Sequence, residues 1–282
     1  MRPTKPINVI VILLSLTIFA AATLGVNTKS AHGDEGVFKQ LIQSSTWILT
    51  PDGRGSGVLI DSVNRLVVTN AHVVGKHSSA IVIFPEFRNG KLIYETKYYL
   101  ENVKQLGIKA TVVAKDVARD VAVLKLSSLP SGVEAIELGE SAQAGQAVHS
   151  IGNPSASGAK WIYSGGKVRA NYYSTFRSGG KMRQFQKLET YIPTSAGVSG
   201  GPIADSDSRL VGINQGHRNN VDSFSYGVDI SEIKYVLKKH RLMVLPTRSG
   251  AESKSLKRAP TISQEKVVGY SLADLSYFKT DQ

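Results

Sequence analysis

The chain contains no cysteine. That excludes a disulfide framework, a zinc–thiolate site and a cysteine nucleophile. No cluster of histidine and carboxylate residues has metal-ligand spacing, so no metal and no cofactor is expected. Acidic residues are few beside basic ones, 22 against 34, and the formal charge is +12. Such a surplus draws anionic partners in general, whether acidic polymers, lipid head groups or nucleic acid. Repeats at the periods of solenoids or propellers are absent. Clear helical periodicity occurs once, in "ISEIKYVLKKH", where Ile230, Ile233, Val236 and Leu237 share a face and Asp229 or Ser231 can cap the start.

What is present is a chain of 282 residues with 41% hydrophobic content, enough for one large domain or two lobes. Arg2 and Lys5 precede an apolar run from about Ile7 to Val26, followed by small and polar residues. This is the layout of a secretory signal peptide, and residues 1–33 are expected to be one. Ala20-Ala21-Ala22 and Ala31-His32-Gly33 both suit cleavage, the second better. The competing reading is a retained membrane anchor. Losing Arg2, Lys5 and Lys29 with this segment leaves +9 on residues 34–282. An exported chain without disulfides fits a bacterial periplasmic or secreted protein.

Beyond the leader, short apolar runs alternate with turn residues, the pattern of an all-β sandwich or barrel. "TWILT", "GSGVLID", "RLVVTN", "SAIVIF", "IKATVVAKD", "DVAVLKL" and "AVHSIGN" come first, then "WIYSGGKVRANYY", "RQFQKLETYI", "RLVGINQG" and "FSYGVDI". A weaker helical or loop segment occupies "YETKYYLENVKQLG", and residues 247–282 read as a basic polar tail. "RANYYSTFRSGGKMRQFQK" interleaves bases with aromatics, as single-strand binders do. In an exported protein it reads better as a basic hairpin turning at Ser-Gly-Gly, and no specific nucleic acid is expected.

The densest chemical signal is "TSAGVSGGPI", which sets Ser199 among Gly197, Gly200 and Gly201. Glycine costs conformational entropy wherever the chain is ordered, so the cluster needs a geometric reason. One reason is a serine whose neighbouring N–H groups must face a substrate. A serine is inert without a base, and the base needs a carboxylate to fix its tautomer. Of six histidines, His72 in "TNAHVV" stands where an apolar strand ends and turns. "KDVARDVAVLKL" offers Asp116 and Asp120; Asp120 directly precedes a half-buried strand, while Asp116 reads as a solvated turn residue. Gly197 to Gly201 also satisfy the G-x-S-x-G elbow of α/β-hydrolases, but Pro202 follows where that fold needs a helix.

In this order, "GSGVLI", "TNAHVV", "DVAVLKL", "SIGNP", "GVSGGP" and "LVGIN" resemble the chymotrypsin-fold serine proteases, and most closely the HtrA/Deg-type bacterial branch. The resemblance covers roughly residues 40–240 of a protease domain set at 34–246. It implies an all-β fold of two antiparallel six-stranded β-barrels (about 40–130 and 140–240) with a C-terminal helix, the site lying in the cleft between them. His72 would be the general base, Asp120 its orienting acid and Ser199 the nucleophile of an acyl-enzyme. The N–H groups of Gly197 and Ser199 would form the oxyanion hole. The expected partners are protein or peptide substrates. A trimer built on Phe38 and Trp47 is possible by analogy, though Trp47 could equally serve the first barrel's core.

The departures are specific. Ser195-Ala196-Gly197-Val198 replaces the branch's Asn-Pro-Gly-Asn, Tyr191 stands where aspartate is common, and "EFRNGKLIYETKYYLENVKQLG" is an apparent insertion. No PDZ module is recognised after the protease. The primary pocket is expected at Pro193 and Thr194, with Ile213, Asn214 and Gln215 as its wall. It holds no carboxylate for a basic side chain and no histidine for a glutamate, so small or medium aliphatic residues should be preferred. The alternative function is a catalytically silent protease fold that binds proteins as a chaperone does.

Overall fold

The computed structural model describes residues 34–178, 181–216, 224–242 and 244. The expected signal segment and the tail at 247–282 lie outside these residues, as do the two glycines of the Ser-Gly-Gly turn.

Twelve strands close into two six-stranded antiparallel barrels, as the resemblance implied. The first runs β1 (Ser45–Thr50), β2 (Gly53–Asp61), β3 (Leu66–Thr69), β4 (Ser79–Ile83), β7 (Ile108–Asp116) and β8 (Val121–Leu126), in the order β1-β2-β3-β8-β7-β4. The second runs β9 (Ala147–Gly152), β10 (Ile162–Ser178), β11 (Lys181–Thr190), β12 (Pro202–Ala204), β13 (Leu210–Gly216) and β14 (Ser225–Asp229), in the order β10-β11-β14-β13-β12-β9. Closure leaves neither sheet an unpaired edge.

Strands β1 and β3 are buried along their whole length because both their faces are covered. In β1, Ile48 joins Leu59, Val67, Val82 and Leu124 in the first barrel's interior. Its neighbours Trp47 and Leu49 face the other way, into a cluster with Val58, Val123, Ile151, Trp161 and Ile213. That second cluster draws on both barrels and so fixes the cleft between them. Trp47 is 0% exposed, which assigns it to the core rather than to a subunit contact. Phe38 is half-buried, with its ring edge-on to Tyr163 at 5.8 Å.

Helix α5 (Ile230–Lys239) lays Ile230, Ile233, Val236 and Leu237 onto the same cluster, capped by the Asp229 carboxylate accepting from the Ser231 N–H. A helix not expected from sequence, α1 (Asp34–Ser44), packs Val37, Leu41 and Ile42 there too. The segment between β4 and β7 forms a two-stranded piece, β5 (Phe87–Arg88) with β6 (Lys91–Leu92), and two short helices, α3 (Thr96–Glu101) and α4 (Val103–Leu106). The basic segment at 169–187 is a hairpin of β10 and β11 pairing from Val168↔Thr190 to Ser178↔Lys181. Among the described residues no helix is long and apolar enough to cross a membrane.

Asp116 corrects the sequence reading. It is buried, not solvated: Lys239 Nζ approaches it at 3.0 Å and Arg119 Nη1 at 3.3 Å. Burial alone would raise its pKa, but these cations hold it below the ordinary carboxylate value.

Candidate active site

His72 lies in α2 (Ala71–Val74), a single turn entered directly from the end of β3. Its side chain is about half exposed, whereas Asp120 is mostly covered. Asp120 Oδ2 accepts from His72 Nδ1 at 2.8 Å, and Oδ1 accepts the His72 backbone N–H at 2.9 Å. With Nδ1 occupied as donor, Nε2 is left as the ring's proton acceptor. Asp120 has φ +55°, a left-handed conformation that costs a non-glycine residue of order 1–3 kcal/mol. Asn70 holds it there by donating from Nδ2 to the Asp120 carbonyl at 3.0 Å.

Ser199 follows a turn whose glycines are required by space and by φ. Gly197 has φ +92°, and a Cβ there would lie 2.5 Å from the Asn153 carbonyl oxygen and the Ser155 hydroxyl. Gly200 has φ +86°, and its Cβ would run into the Ser56 carbonyl oxygen and the Thr69 hydroxyl. The turn is stitched to the first barrel, with Ser56 N–H donating to the Ser199 carbonyl at 2.7 Å and Ser56 Oγ to the Gly197 carbonyl at 2.9 Å.

The Ala196 carbonyl accepts from the Ser155 N–H at 2.8 Å. A trans peptide points its C=O and N–H in opposite directions, so the Gly197 N–H faces away from that loop. Neither the Gly197 nor the Ser199 N–H donates to another described residue.

The three residues meet through a fourth. Gln215 Nε2 donates to Asp120 Oδ2 at 3.1 Å, while Ser199 Oγ donates to the Gln215 carbonyl at 3.1 Å. His72 and Asp120 are thus brought into direct contact. The Ser199 hydroxyl is directed at Gln215 rather than at His72.

Of the expected pocket residues, Pro193 is exposed and Thr194 half-buried. The Thr194 hydroxyl oxygen is buried without a partner among the described residues. The Ile213 and Asn214 side chains of the expected wall are both fully buried. Ile213 belongs to the inter-barrel cluster, and the Asn214 amide donates to Ser150 Oγ at 2.7 Å. Gln215 is half-buried. No three His, Asp or Glu side chains converge as metal ligands among the described residues.

A family model for the trypsin-like peptidase domain matches residues 55–213, more than half of the chain. The chain belongs to this family. Among similar proteins, this trypsin-like peptidase is 31% identical over 164 residues to the periplasmic serine endoprotease DegP of Salmonella typhimurium, covering 57% of the chain and 29% of that relative. It is 25% identical over 186 residues to a putative serine protease, HhoA, of Synechocystis, covering 65% and 42%. The chain therefore spans less than half the length of these relatives. In fold it is similar to the Rv3671c protease of Mycobacterium tuberculosis in its active form, with a TM-score of 0.57 at 22% identity over 72% of this chain and 83% of that one.

Sequence reasoning about this peptidase missed Ser56, Asn70 and Asn153. Asn153 binds Ser56 Oγ through its N–H and the Thr46 carbonyl through Nδ2, joining β9 to β1 and β2. Only the "SIGNP" motif hinted at it. The bridging role of Gln215 had no signal in sequence, because it depends on two barrels facing each other.

Proposed function

We propose that the chain is a serine endopeptidase working through His72, Asp120 and Ser199. The observation that supports this best is the Asp120–His72 Nδ1 contact at 2.8 Å, with the Ser199 hydroxyl and the Asp120 carboxylate both bound to Gln215. In this reading the Ser199 hydroxyl turns from the Gln215 carbonyl towards His72 Nε2. That nitrogen takes the hydroxyl proton as Oγ bonds to the scissile carbonyl carbon. The developing oxyanion is met by the Gly197 and Ser199 N–H groups. The carbon–nitrogen bond then breaks, the leaving amine takes the proton from His72, and an ester remains on Ser199. Water, deprotonated by the same imidazole, releases the acid and restores the hydroxyl.

The pocket, at Pro193 and Thr194 with Ile213, Asn214 and Gln215 along its wall, holds no ionised side chain, which favours small and medium aliphatic residues with broad selectivity. Such residues are buried in folded proteins, so unfolded or flexible exported proteins are the fitting substrates. In this reading residues 1–33 direct export across a bacterial cytoplasmic membrane.

The contact from Ser199 to Gln215, rather than to His72, is what a silent, binding-only protein would also show. The two readings separate on activity. A denatured model protein should be cleaved by the native sequence, and Ser199→Ala or His72→Ala should each remove nearly all cleavage. Together they should do little more than either alone. Labelling of Ser199 by a fluorophosphonate should disappear in both variants. Full activity in either would refute the assignment. Cleavage sites dominated by arginine, lysine or glutamate would refute the pocket.

A further inference from the structure

Lys160 is 1% exposed and has no ion pair among the described residues. Its ammonium donates to the Pro154 carbonyl at 2.7 Å and lies 4.8 Å from the Trp47 ring centroid. Lysine is rarely this buried without a carboxylate. Burial first, and then the like charge of Arg54, lower its pKa to about 8. The bond to Pro154 spans the mouth of the segment at 154–160 from within.

From outside, the inserted segment holds the same stretch. The Thr96 N–H donates to the Gly158 carbonyl at 2.8 Å, Thr96 Oγ1 to the Ser157 carbonyl at 3.2 Å, and the Lys160 N–H to the Tyr94 carbonyl at 2.7 Å. At the far end, Trp161 N–H donates to Asn153 Oδ1 at 3.1 Å. Trp161 is itself held at φ +61°. The residue next to Pro154 is Ser155, whose N–H fixes the Ala196 carbonyl at 2.8 Å and whose hydroxyl leaves no room for a Cβ on Gly197.

We propose that Lys160 is a positioning residue for the Gly197 N–H: its ammonium holds the Pro154–Ser155 turn, and that turn sets the direction of the Ala196–Gly197 peptide. The inference rests on the peptidase reading above. Without the ammonium, the Pro154 carbonyl loses its buried donor and the Ser155 N–H is free to drift. The Ala196–Gly197 peptide can then rotate and present its carbonyl where the N–H stood.

The test is Lys160→Met in the full chain, which keeps side-chain length but removes charge and donor. A fluorogenic peptide amide with a small aliphatic residue before the cut is the substrate. Its kcat should fall about tenfold or more, up to the ~10²–10³-fold that complete loss of one such donor entails, with KM inside about twofold. The affinity of a matching peptide boronic acid, whose tetrahedral adduct fills the oxyanion position, should fall by the same factor. The affinity of the cleaved product peptide should not change. Thr96→Ala, which loosens the same segment from the surface, should shift kcat and boronate affinity in the same direction by less; it decides the matter if Lys160→Met fails to fold. Unchanged kcat and boronate affinity in the folded variants would overturn the inference. So would an equal loss of product affinity, which would mark general damage to the cleft. An inactive native chain, or an active Ser199→Ala chain, would instead overturn the peptidase reading itself.

Discussion

If Lys160 is kept charged in the interior for the sake of the cleft, its burial should cost stability, and the cost should depend on pH in a defined direction. Its pKa falls from 10.5 to about 8 on folding. Below about pH 8 both folded and unfolded chains carry the proton, so the full penalty of the buried charge is present. Between about 8 and 10.5 the unfolded chain binds the proton and the folded one does not, so stability rises with pH across that window. At 1.36 kcal/mol per pH unit, the difference comes to about 3 kcal/mol. Lys160→Met removes this penalty and also the hydrogen bond to Pro154, worth ~1 kcal/mol. The variant should therefore be about 2 kcal/mol more stable than the native sequence near pH 7. It should lose that advantage towards pH 10.5 and end ~1 kcal/mol less stable. Urea unfolding of both sequences in a Ser199→Ala background, which prevents self-cleavage, would measure the difference across the range. Parallel stability curves would refute the reasoning, as would a variant less stable at neutral pH.

Gly200→Ala should abolish cleavage and destabilise the fold by several kcal/mol, because φ +86° and collision with the Ser56 carbonyl both forbid a Cβ; thermal unfolding and peptide hydrolysis would both report it. Arg119→Met should cost about 3 kcal/mol or more in denaturant unfolding. It removes the cation paired at 2.7 Å with the mostly buried Glu232 carboxylate, leaving that charge only the Gln186 N–H among the described residues, and removes the stacking on Tyr235 at 3.9 Å. Acid unfolding should follow Asp116. Its carboxyl is held below the ordinary 3.8, so its contribution is complete above that pH and is lost as pH falls through the lower folded value. Lys239→Met should reduce that acid-sensitive part, measured by circular dichroism against pH.

Much of this protein was legible in the chain alone. Strand positions, the C-terminal helix and the three residues of the proposed triad follow from local periodicity, turn chemistry and ordered motifs, because each is encoded within about ten residues. Gly197 and Gly200 announced a constrained turn, since only a backbone requirement explains such a cluster. Tertiary structure decided what depends on residues far apart in sequence. Asp116 lies in a polar stretch and reads as a solvated turn residue, but α5 folds back to give it Lys239, 123 positions away. Ile213 and Asn214 look like pocket wall by counting along the strand. Tertiary structure buries both side chains, Ile213's in the inter-barrel cluster and Asn214's against Ser150 Oγ. Gln215 reaches Asp120 across 95 residues, and the buried Lys160 meets Trp47 from a distant part of the chain. Sequence specifies the residue types and their local geometry; burial and charge pairing are properties of the assembled barrels, and there the chemistry of the cleft was set.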